Sequence, residues 1–274
     1  MSEAASGEAA PAPAGLGVLR SASLTAGVAL AIVGAVTLGL GPLLYRMGVL
    51  DLPASTAGVE RWAMLIFAGS GVFALIGLIV SLITKKHRGA IVGVLVLAAA
   101  GTGGGSLYGQ SVLRDELPPI YDLQTDWSQP VAFTEAALRT REAAGAVHIR
   151  DDAMIPEGES KWSGKSFAEA QQEVYELEPL IVRATAPDAT VAAANAAKRL
   201  GWDVMLSDPQ EGQLEAVSRS FWYGLAYDIA VRVTPQGDGA RVDVRSTSRT
   251  PGGDVGANAG QIKEFLDEVA LELR

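Results

Sequence analysis

The stretch that decides the fold is LTAGVALAIVGAVTLGLGPLL, residues 24–44, which contains no charged side chain. Arg20 and Arg46 flank it. A helix of this length rises about 1.5 Å per residue, so it crosses the roughly 30 Å hydrocarbon core of a bilayer. The alternative, a cleaved signal peptide, would have an apolar region of about 7–15 residues that starts closer to Met1. The stretch therefore predicts a membrane-spanning helix.

Two further apolar segments follow, at residues 62–83 and 89–108. Trp62 opens the first of them, where an indole ring suits the membrane interface. The second contains GTGGG at residues 101–105, which indicates either close helix packing or a helix end that frays into a linker. Residues 19–110 are thus predicted to form a transmembrane domain of three helices.

The connection between the second and third segments, KKHR at residues 85–88, predicts the orientation. Short connections rich in Lys and Arg remain in the cytoplasm. The amino terminus is then cytoplasmic, and residues 1–18, rich in Ala, Pro and Gly, are predicted to be a disordered tail. We therefore expect a multi-pass protein of the inner (cytoplasmic) membrane whose C-terminal domain is periplasmic or extracellular.

Charge divides the chain near Arg114. The part up to this residue has seven Lys or Arg and four Asp or Glu, a net charge of +3, whereas the remainder has fifteen and twenty-seven, a net charge of −12. A strongly acidic domain repels phosphate backbones, which argues against nucleic acid as a partner. The chain has no cysteine, so disulfides, thiolate metal sites and cysteine nucleophiles are excluded.

Residues 117–274 are predicted to form one extracytoplasmic α+β domain. Polar and apolar side chains alternate in residues 227–234 and 241–245, which is typical of strands with one buried face. The side chains predicted to point outward include Arg241, Asp243 and Arg245. Residues 258–273 have one apolar stripe, typical of a helix packed on a sheet. The predicted fold class is α+β: a three-helix transmembrane anchor followed by a two-layer sandwich of an antiparallel sheet and helices.

Shorter helices are indicated by their capping residues. Thr134 is placed to cap one helix, and residues 166–169 (SFAE) have the pattern of a capping box. Residues 187–200 form an alanine-rich helix that Gly201 ends. These helices add to the layer that covers the sheet.

The most concentrated polar segment is RSTSRTPGGDVGAN, residues 245–258, between the last predicted strand and the last helix. Two guanidinium groups, several hydroxyls and the free N–H groups of a helix start could hold a carboxylate or a phosphate. The candidate residues of this small-anion site are Arg245, Ser246, Ser248, Arg249, Asp254 and Asn258. The alternative is a scaffold in which both arginines pair with Asp254 and neighbouring acids while Asn258 caps the helix.

No other group of residues indicates catalysis or a cofactor. His87 and His148 lie in different parts of the chain, so neither a zinc site nor a catalytic triad is predicted. Residues 254–258 lack the alternating ligands and the distal Glu of a calcium loop. We predict no metal, no cofactor and no catalytic residue. The aromatic residues 221–223 and Tyr227 predict core packing, with a pocket lip or a membrane-facing wedge as alternatives.

Residues 244–249 (VRSTSR) and 253–258 (GDVGAN) resemble the RS-x-SR…D-x-G-x-N signature of the DUF1499 family of domains of unknown function. Weaker similarities lie at residues 121–126, at Tyr175 with Pro179 and Leu180, and at Asp228. The resemblance covers roughly residues 117–274. The chain departs from the family pattern in having one acid, Asp228, where two are expected, and in lacking an early cysteine. Because the family has no established activity, the resemblance implies a domain boundary and no particular reaction.

Three functions are compatible with these patterns. The first is a membrane-anchored extracytoplasmic binding or interaction module for a partner protein or a small anionic ligand. The second is an accessory structural subunit of a larger membrane complex, a role that the glycine-rich third helix indicates. The third is an enzyme that acts on an anionic substrate through the residues of the 245–258 segment. The lipid bilayer is the partner common to all three.

Overall fold

The computed structural model describes residues 14–158, 160–250 and 255–274. The chain divides into two compact units, with the boundary between Val112 and Leu113. The first unit contains the long apolar helices and the second contains the sheet.

Three helices are long and apolar enough to cross a membrane. They are α1, Ala14–Arg46, α2, Val59–Ile83, and α3, His87–Glu116. A π-helical turn, Ala54–Gly58, leads into α2. The three predicted spans are confirmed as helices, and each is longer than predicted because the helix continues beyond its apolar part into polar flanks.

The start of α1 corrects the prediction for the amino-terminal tail. Residues 14–18, predicted to be disordered, belong to α1. Once the apolar span has nucleated a helix, each added residue gains one hydrogen bond, so the helix extends into the flank. Residues 1–13 lie outside the described residues.

Glycines bring the membrane helices close together. A Cβ at Gly103 would lie 2.7 Å from the ring of Phe67, and a Cβ at Gly34 would lie 3.1 Å from the same ring. The ring of Phe67 on α2 therefore packs into the space left by the absent side chains of Gly34 on α1 and Gly103 on α3. Within the run at residues 101–105, Gly103 serves close packing, and the alternative of a frayed end is wrong because α3 continues to Glu116.

In the described part of the second unit, six strands form one antiparallel sheet. They are β1, Asp122–Gln124, β2, Leu180–Val182, β3, Asp203–Asp208, β4, Gln213–Arg219, β5, Ala226–Gln236, and β6, Gly239–Ser248. The order is β1-β6-β5-β4-β3, and β2 also pairs with β6. Asp122 faces Thr247 and Leu180 faces Val242, so β1 and β2 share the outer edge of β6. β3 forms the opposite edge.

The sheet is accompanied by α4, Glu135–Ala143, α5, Phe167–Val174, α6, Ala186–Arg199, and α7, Ala257–Glu272. Thr134 caps α4 by accepting a hydrogen bond from the N–H of Ala137. Ser166 and Glu169 form the predicted capping box of α5, and Thr185 caps α6. Each cap satisfies an N–H group that the first helical turn leaves unpaired.

One face of the sheet packs against α6 and α7. Ile229, Val231 and Val244 on this face are at most 3% exposed. The predicted apolar stripe of α7 is confirmed by Ile262, Phe265 and Val269, which are buried, and by Leu266 and Leu273, which pack against the same core. Burial of each large apolar side chain contributes about 1.5–3 kcal/mol. The predicted sandwich of sheet and helices is confirmed.

The other face of the sheet is covered as well. Val131 and Phe133, which precede α4, pack on Ala230 of β5. Beneath this cover, Asp243 is 1% and Arg245 2% exposed. The predicted outward exposure of these two side chains is wrong, because alternation identifies the face of a strand and not what covers it.

Phe221 and Trp222 lie in the connection between β4 and β5 and are 81% and 67% exposed. Their rings meet edge to face, with centroids 5.1 Å apart. The prediction of core packing is wrong for these two residues, although Tyr227 is buried. The N–H of Ser220 donates to the carbonyl of Leu225, so the loop closes behind the two rings and projects them outward.

Candidate functional site

The candidate residues at the end of β6 are distributed over both faces of the sheet. β6 runs to Ser248, so Arg245, Ser246 and Ser248 belong to the strand and not to the predicted loop. Successive side chains of a strand point to opposite faces. Arg245 and Arg249 therefore lie on the face covered by α4, whereas the two serines lie on the face packed against α7. Asp254 lies outside the described residues.

Hydrogen bonds join the group on the α7 face. Ser246 Oγ donates to Asn258 Oδ1 at 2.6 Å, and Asn258 Nδ2 donates to Ser248 Oγ at 3.0 Å and to the carbonyl of Tyr121 at 3.2 Å. The helix cap is Gly256, with a φ of +85°, so the capping role predicted for Asn258 is wrong. The amide of Asn258 reaches back to the strand, and the three buried side chains fasten α7 to β6.

Arg245 is enclosed on the opposite face. Its Nε and Nη2 donate to the two carboxylate oxygens of Asp122 at 2.9 and 2.6 Å. Its Nη1 donates to Asp151 Oδ1 at 2.7 Å and to the carbonyl of Val131 at 3.1 Å. All three nitrogens of the guanidinium group have partners. Arg245 thus links β6 to β1 and to the segment that covers this face.

Asp228 of β5 binds two arginines. Arg249 donates from Nε to Oδ2 at 2.8 Å and from Nη2 to Oδ1 at 2.6 Å. Arg141 of α4 donates to the same Oδ2, and also to the carbonyls of Val147 and Ser248 at 2.9 and 3.2 Å. The group of two guanidinium cations and one carboxylate therefore has an excess of one positive charge.

The surroundings shift the pKa values of the two arginines in opposite directions. The hydrogen bonds with Asp228 raise the pKa of Arg249 above its ordinary value. Burial lowers the pKa of Arg141, against the opposing effect of Asp228. A guanidinium group titrates so far above neutral pH that both side chains remain charged.

A cavity of about 300 Å³ lies between α4 and the β3, β4 and β5 part of this face. Apolar side chains such as Phe133 and Leu206 form much of its wall, and Glu215, Asp228 and Arg249 contribute charged groups. Arg249 keeps 17% of its side chain exposed. Within residues 14–158, 160–250 and 255–274, its Nη1 makes no hydrogen bond.

Glu215 has a structural role at the edge of this cavity. Its two oxygens accept hydrogen bonds from the N–H of Thr134 at 2.5 Å and from Thr134 Oγ1 at 2.8 Å. The carboxylate therefore holds the start of α4 on β4. Arg249 Nη1 remains as a charged donor beside an apolar wall, a combination that suits a molecule with an apolar part and an anionic group.

The described residues contain no group of three or more His, Asp or Glu placed to hold a metal ion. The sequence analysis did not identify the buried Asp122 and Arg141, or the exposed Asp151, as ion-pair partners of this network. Asp122 lies 123 positions before Arg245, so no local pattern connects them. The sequence did contain one indication of these ion pairs. Asp and Arg recur on one side of two adjacent strands, a pattern that suggests ion pairs between neighbouring strands of the sheet.

A family model described as a protein of unknown function (DUF1499) matches residues 122–269, more than half of the 274-residue chain. The match begins with β1 and ends within α7. No curated protein matches the chain. The chain therefore belongs to the DUF1499 family, with three membrane-capable helices ahead of the family domain.

Proposed function

We propose that the second unit is an extracytoplasmic binding module that takes a small amphipathic anion into the cavity beneath α4. The carrying observation is Arg249, which lines the cavity and keeps Nη1 without a partner among the described residues while Nε and Nη2 hold Asp228. The anionic group of the ligand accepts hydrogen bonds from Nη1, and its apolar part lies against Phe133 and Leu206. Small-molecule sites range over roughly 300–1,000 Å³, so a cavity at the lower limit suits a small ligand.

The charge distribution of the anchor supports an inner-membrane location with the amino terminus in the cytoplasm. Arg20 of α1 joins Lys86 and Arg88 around one recess of the helices. Cations concentrated at one end of the helices favour the cytoplasmic side for that end. Because α3 crosses from this end to the other, the second unit follows on the opposite side of the membrane.

Thermal unfolding of the full chain in a non-ionic detergent tests the proposed binding. The probes are hexanoate, acetate and hexanol, which separate the contribution of the anionic group from that of the apolar chain. We expect hexanoate to raise the Tm more than acetate, which lacks the chain, and more than hexanol, which lacks the charge. In Arg249→Gln this gain should disappear, while Arg141 continues to neutralise Asp228 and preserves the fold.

Two further variants complete the test. Arg139→Gln is the matched control, because Arg139 lies on α4 with 70% of its side chain exposed. Ala136→Phe narrows the cavity without removing a charge and should also abolish the gain. Equal shifts with hexanoate and acetate in the wild type contradict the proposal. A large fall in stability in Arg249→Gln, with no shift from hexanoate in the wild type, identifies Arg249 as a scaffold residue.

An accessory role in a larger membrane complex is the second candidate. Gly101, Gly105 and Gly109 of α3 have open space where each Cβ would stand. Their spacing of four places them on one side of the helix, and small residues allow a second helix to approach closely. Purification in a mild detergent followed by mass spectrometry separates the two functions. A stoichiometric partner that Gly105→Leu releases favours the accessory role.

A further inference from the structure

We propose that a groove between α1 and the first turns of α3 binds one anionic phospholipid. The phosphodiester group contacts Arg20, Lys86 and Arg88, and an acyl chain runs along the helices. This inference is independent of the ligand proposed for the second unit.

The groove is a recess of about 770 Å³ in the first unit. Arg20, Ser21 and the cations at positions 86 and 88 form its polar end. A Cβ at Gly89 would lie 3.3 Å from Cδ of Arg20 on α1 and 2.5 Å from Oγ of Ser81 on α2, so glycine allows both helices to approach α3 at this end. The stem of Arg20 therefore lies against α3, and its charged group shares one mouth with Lys86 and Arg88.

The charged side chains described at the mouth of the groove are all positive. No Asp or Glu among residues 14–158, 160–250 and 255–274 lines the groove. None of Arg20, Lys86 and Arg88 forms a salt bridge with a described residue of the chain. Three unpaired cations around one recess attract an anion, and basic pockets between membrane helices bind anionic head groups.

The remainder of the groove is apolar. Leu24, Val28 and Ile32 follow one another at intervals of four on α1, and Val92 of α3 faces the same recess. Residues at this spacing form a continuous stripe along a helix. A free phosphate ion would use only the charged mouth, whereas a phospholipid also covers the stripe. The geometry therefore favours a lipid over a soluble anion.

Native mass spectrometry of the delipidated full chain in dodecyl maltoside tests the proposal. The probes are dioleoylphosphatidylglycerol and dioleoylphosphatidylcholine at equal concentration. We expect preferential retention of one phosphatidylglycerol molecule. Each of Arg20→Gln, Lys86→Gln and Arg88→Gln should lower its retention about fivefold, the order of effect of one basic residue at an anionic lipid surface. Arg61→Gln, at the opposite end of the helices, is the matched control and should retain the lipid like the wild type.

Two further measurements distinguish a bound lipid from a bound soluble anion. Val28→Trp fills the apolar part without altering a charge and should also lower retention of phosphatidylglycerol. Inorganic phosphate at millimolar concentration should not displace the lipid. Equal retention of the two lipids overturns the proposal, as does unchanged retention in all three cation variants. Displacement by phosphate, or unchanged retention in Val28→Trp, overturns the part played by the acyl chain.

Discussion

Asp228 is a buried carboxylate with 7% of its side chain exposed, between the guanidinium groups of Arg141 and Arg249. Asp228→Asn leaves two cations on this face without their counter-charge. Loss of one partner from a buried ion pair costs about 3–5 kcal/mol, and we expect a decrease of that size in the free energy of unfolding. Urea unfolding of the full chain in detergent, followed by tryptophan fluorescence, measures it.

The control for this variant is Asp203→Asn. Asp203 is 68% exposed and lies 3.9 Å from Arg219, a surface pair. Exposed pairs contribute about 0–1 kcal/mol, so the control should change stability very little. Similar losses in the two variants would contradict the view that Asp228 holds a desolvated cluster together.

Thr247 and Thr125 provide a second matched comparison. Thr247 Oγ1 is buried and has no hydrogen-bond partner in the described structure. Thr125 Oγ1 donates to Asp243 Oδ1 at 3.2 Å and accepts from the N–H of Val244 at 3.0 Å. Thr247→Val should therefore be neutral or stabilising by up to about 1 kcal/mol, whereas Thr125→Val should lose about 1–3 kcal/mol. Chemical unfolding of both variants checks the sign, and a comparable loss in Thr247→Val would indicate an additional partner for its hydroxyl.

The sequence predicted the residues whose interactions are local. Thr134, Ser166 and Glu169 act within three or four positions, so their capping roles follow from spacing alone. The buried ion pairs could not be predicted in this way. The bond between Asp122 and Arg245 depends on which strands become neighbours, and spacing along the chain does not contain that information.

At the scale of the elements, Gly239 determines how closely β2 approaches β6. A Cβ at this position would lie 1.9 Å from the carbonyl oxygen of Val182. Gly239→Ala should displace β2 and lower the free energy of unfolding by about 1–3 kcal/mol, the usual cost of overpacking. Gly158→Ala is the control, because no atom lies within 4 Å of a Cβ there. A loss in Gly239→Ala no greater than in the control would contradict the close contact.

Most of the helices and strands could be predicted from the sequence. The segment that covers the second face of the sheet could not. Alternation in β5 and β6 assigned Val231 and Val244 to the face that the structure buries against helices. The same alternation could not show that Val131 and Phe133 cover the second face, because the cover comes from an irregular segment without periodicity. The sequence also did not show that β6 continues to Ser248, which places the candidate arginines and the candidate serines on opposite faces of the sheet.

For the whole molecule, the orientation of the anchor leads to a topology prediction. Reporter domains fused after Lys86 and after Arg274 should give opposite signals, the first cytoplasmic and the second not, because α3 lies between them. A pair of enzymatic reporters, one active only in the cytoplasm and one active only outside it, measures this directly. The same signal at both positions would overturn the orientation.

The second unit should also fold without the membrane spans. Its sheet and helices enclose a shared apolar core, so residues 117–274 expressed alone should be soluble and give an α+β circular dichroism spectrum. The carbonyl of Glu116 accepts a hydrogen bond from Trp162 Nε1 at 3.2 Å, and its side chain pairs with Lys161. A chain that starts at residue 113 should therefore have the higher Tm. Aggregation of both chains would indicate that the anchor completes the core.

The pairing of β1 with β6 also fixes the order in which the protein can form during synthesis. Asp122 cannot form its ion pair until Arg245, 123 positions later, has been synthesised. At about 5–20 residues per second this is a delay of roughly 6–25 s. The backbone hydrogen bonds within α1, α2 and α3 are local, and local contacts form early. The anchor can therefore be complete while β1 is still without its partner strand, and α7 is made after β6. Throughout that interval the nascent second unit has open strand edges, so the growing chain needs protection until β6 has been made.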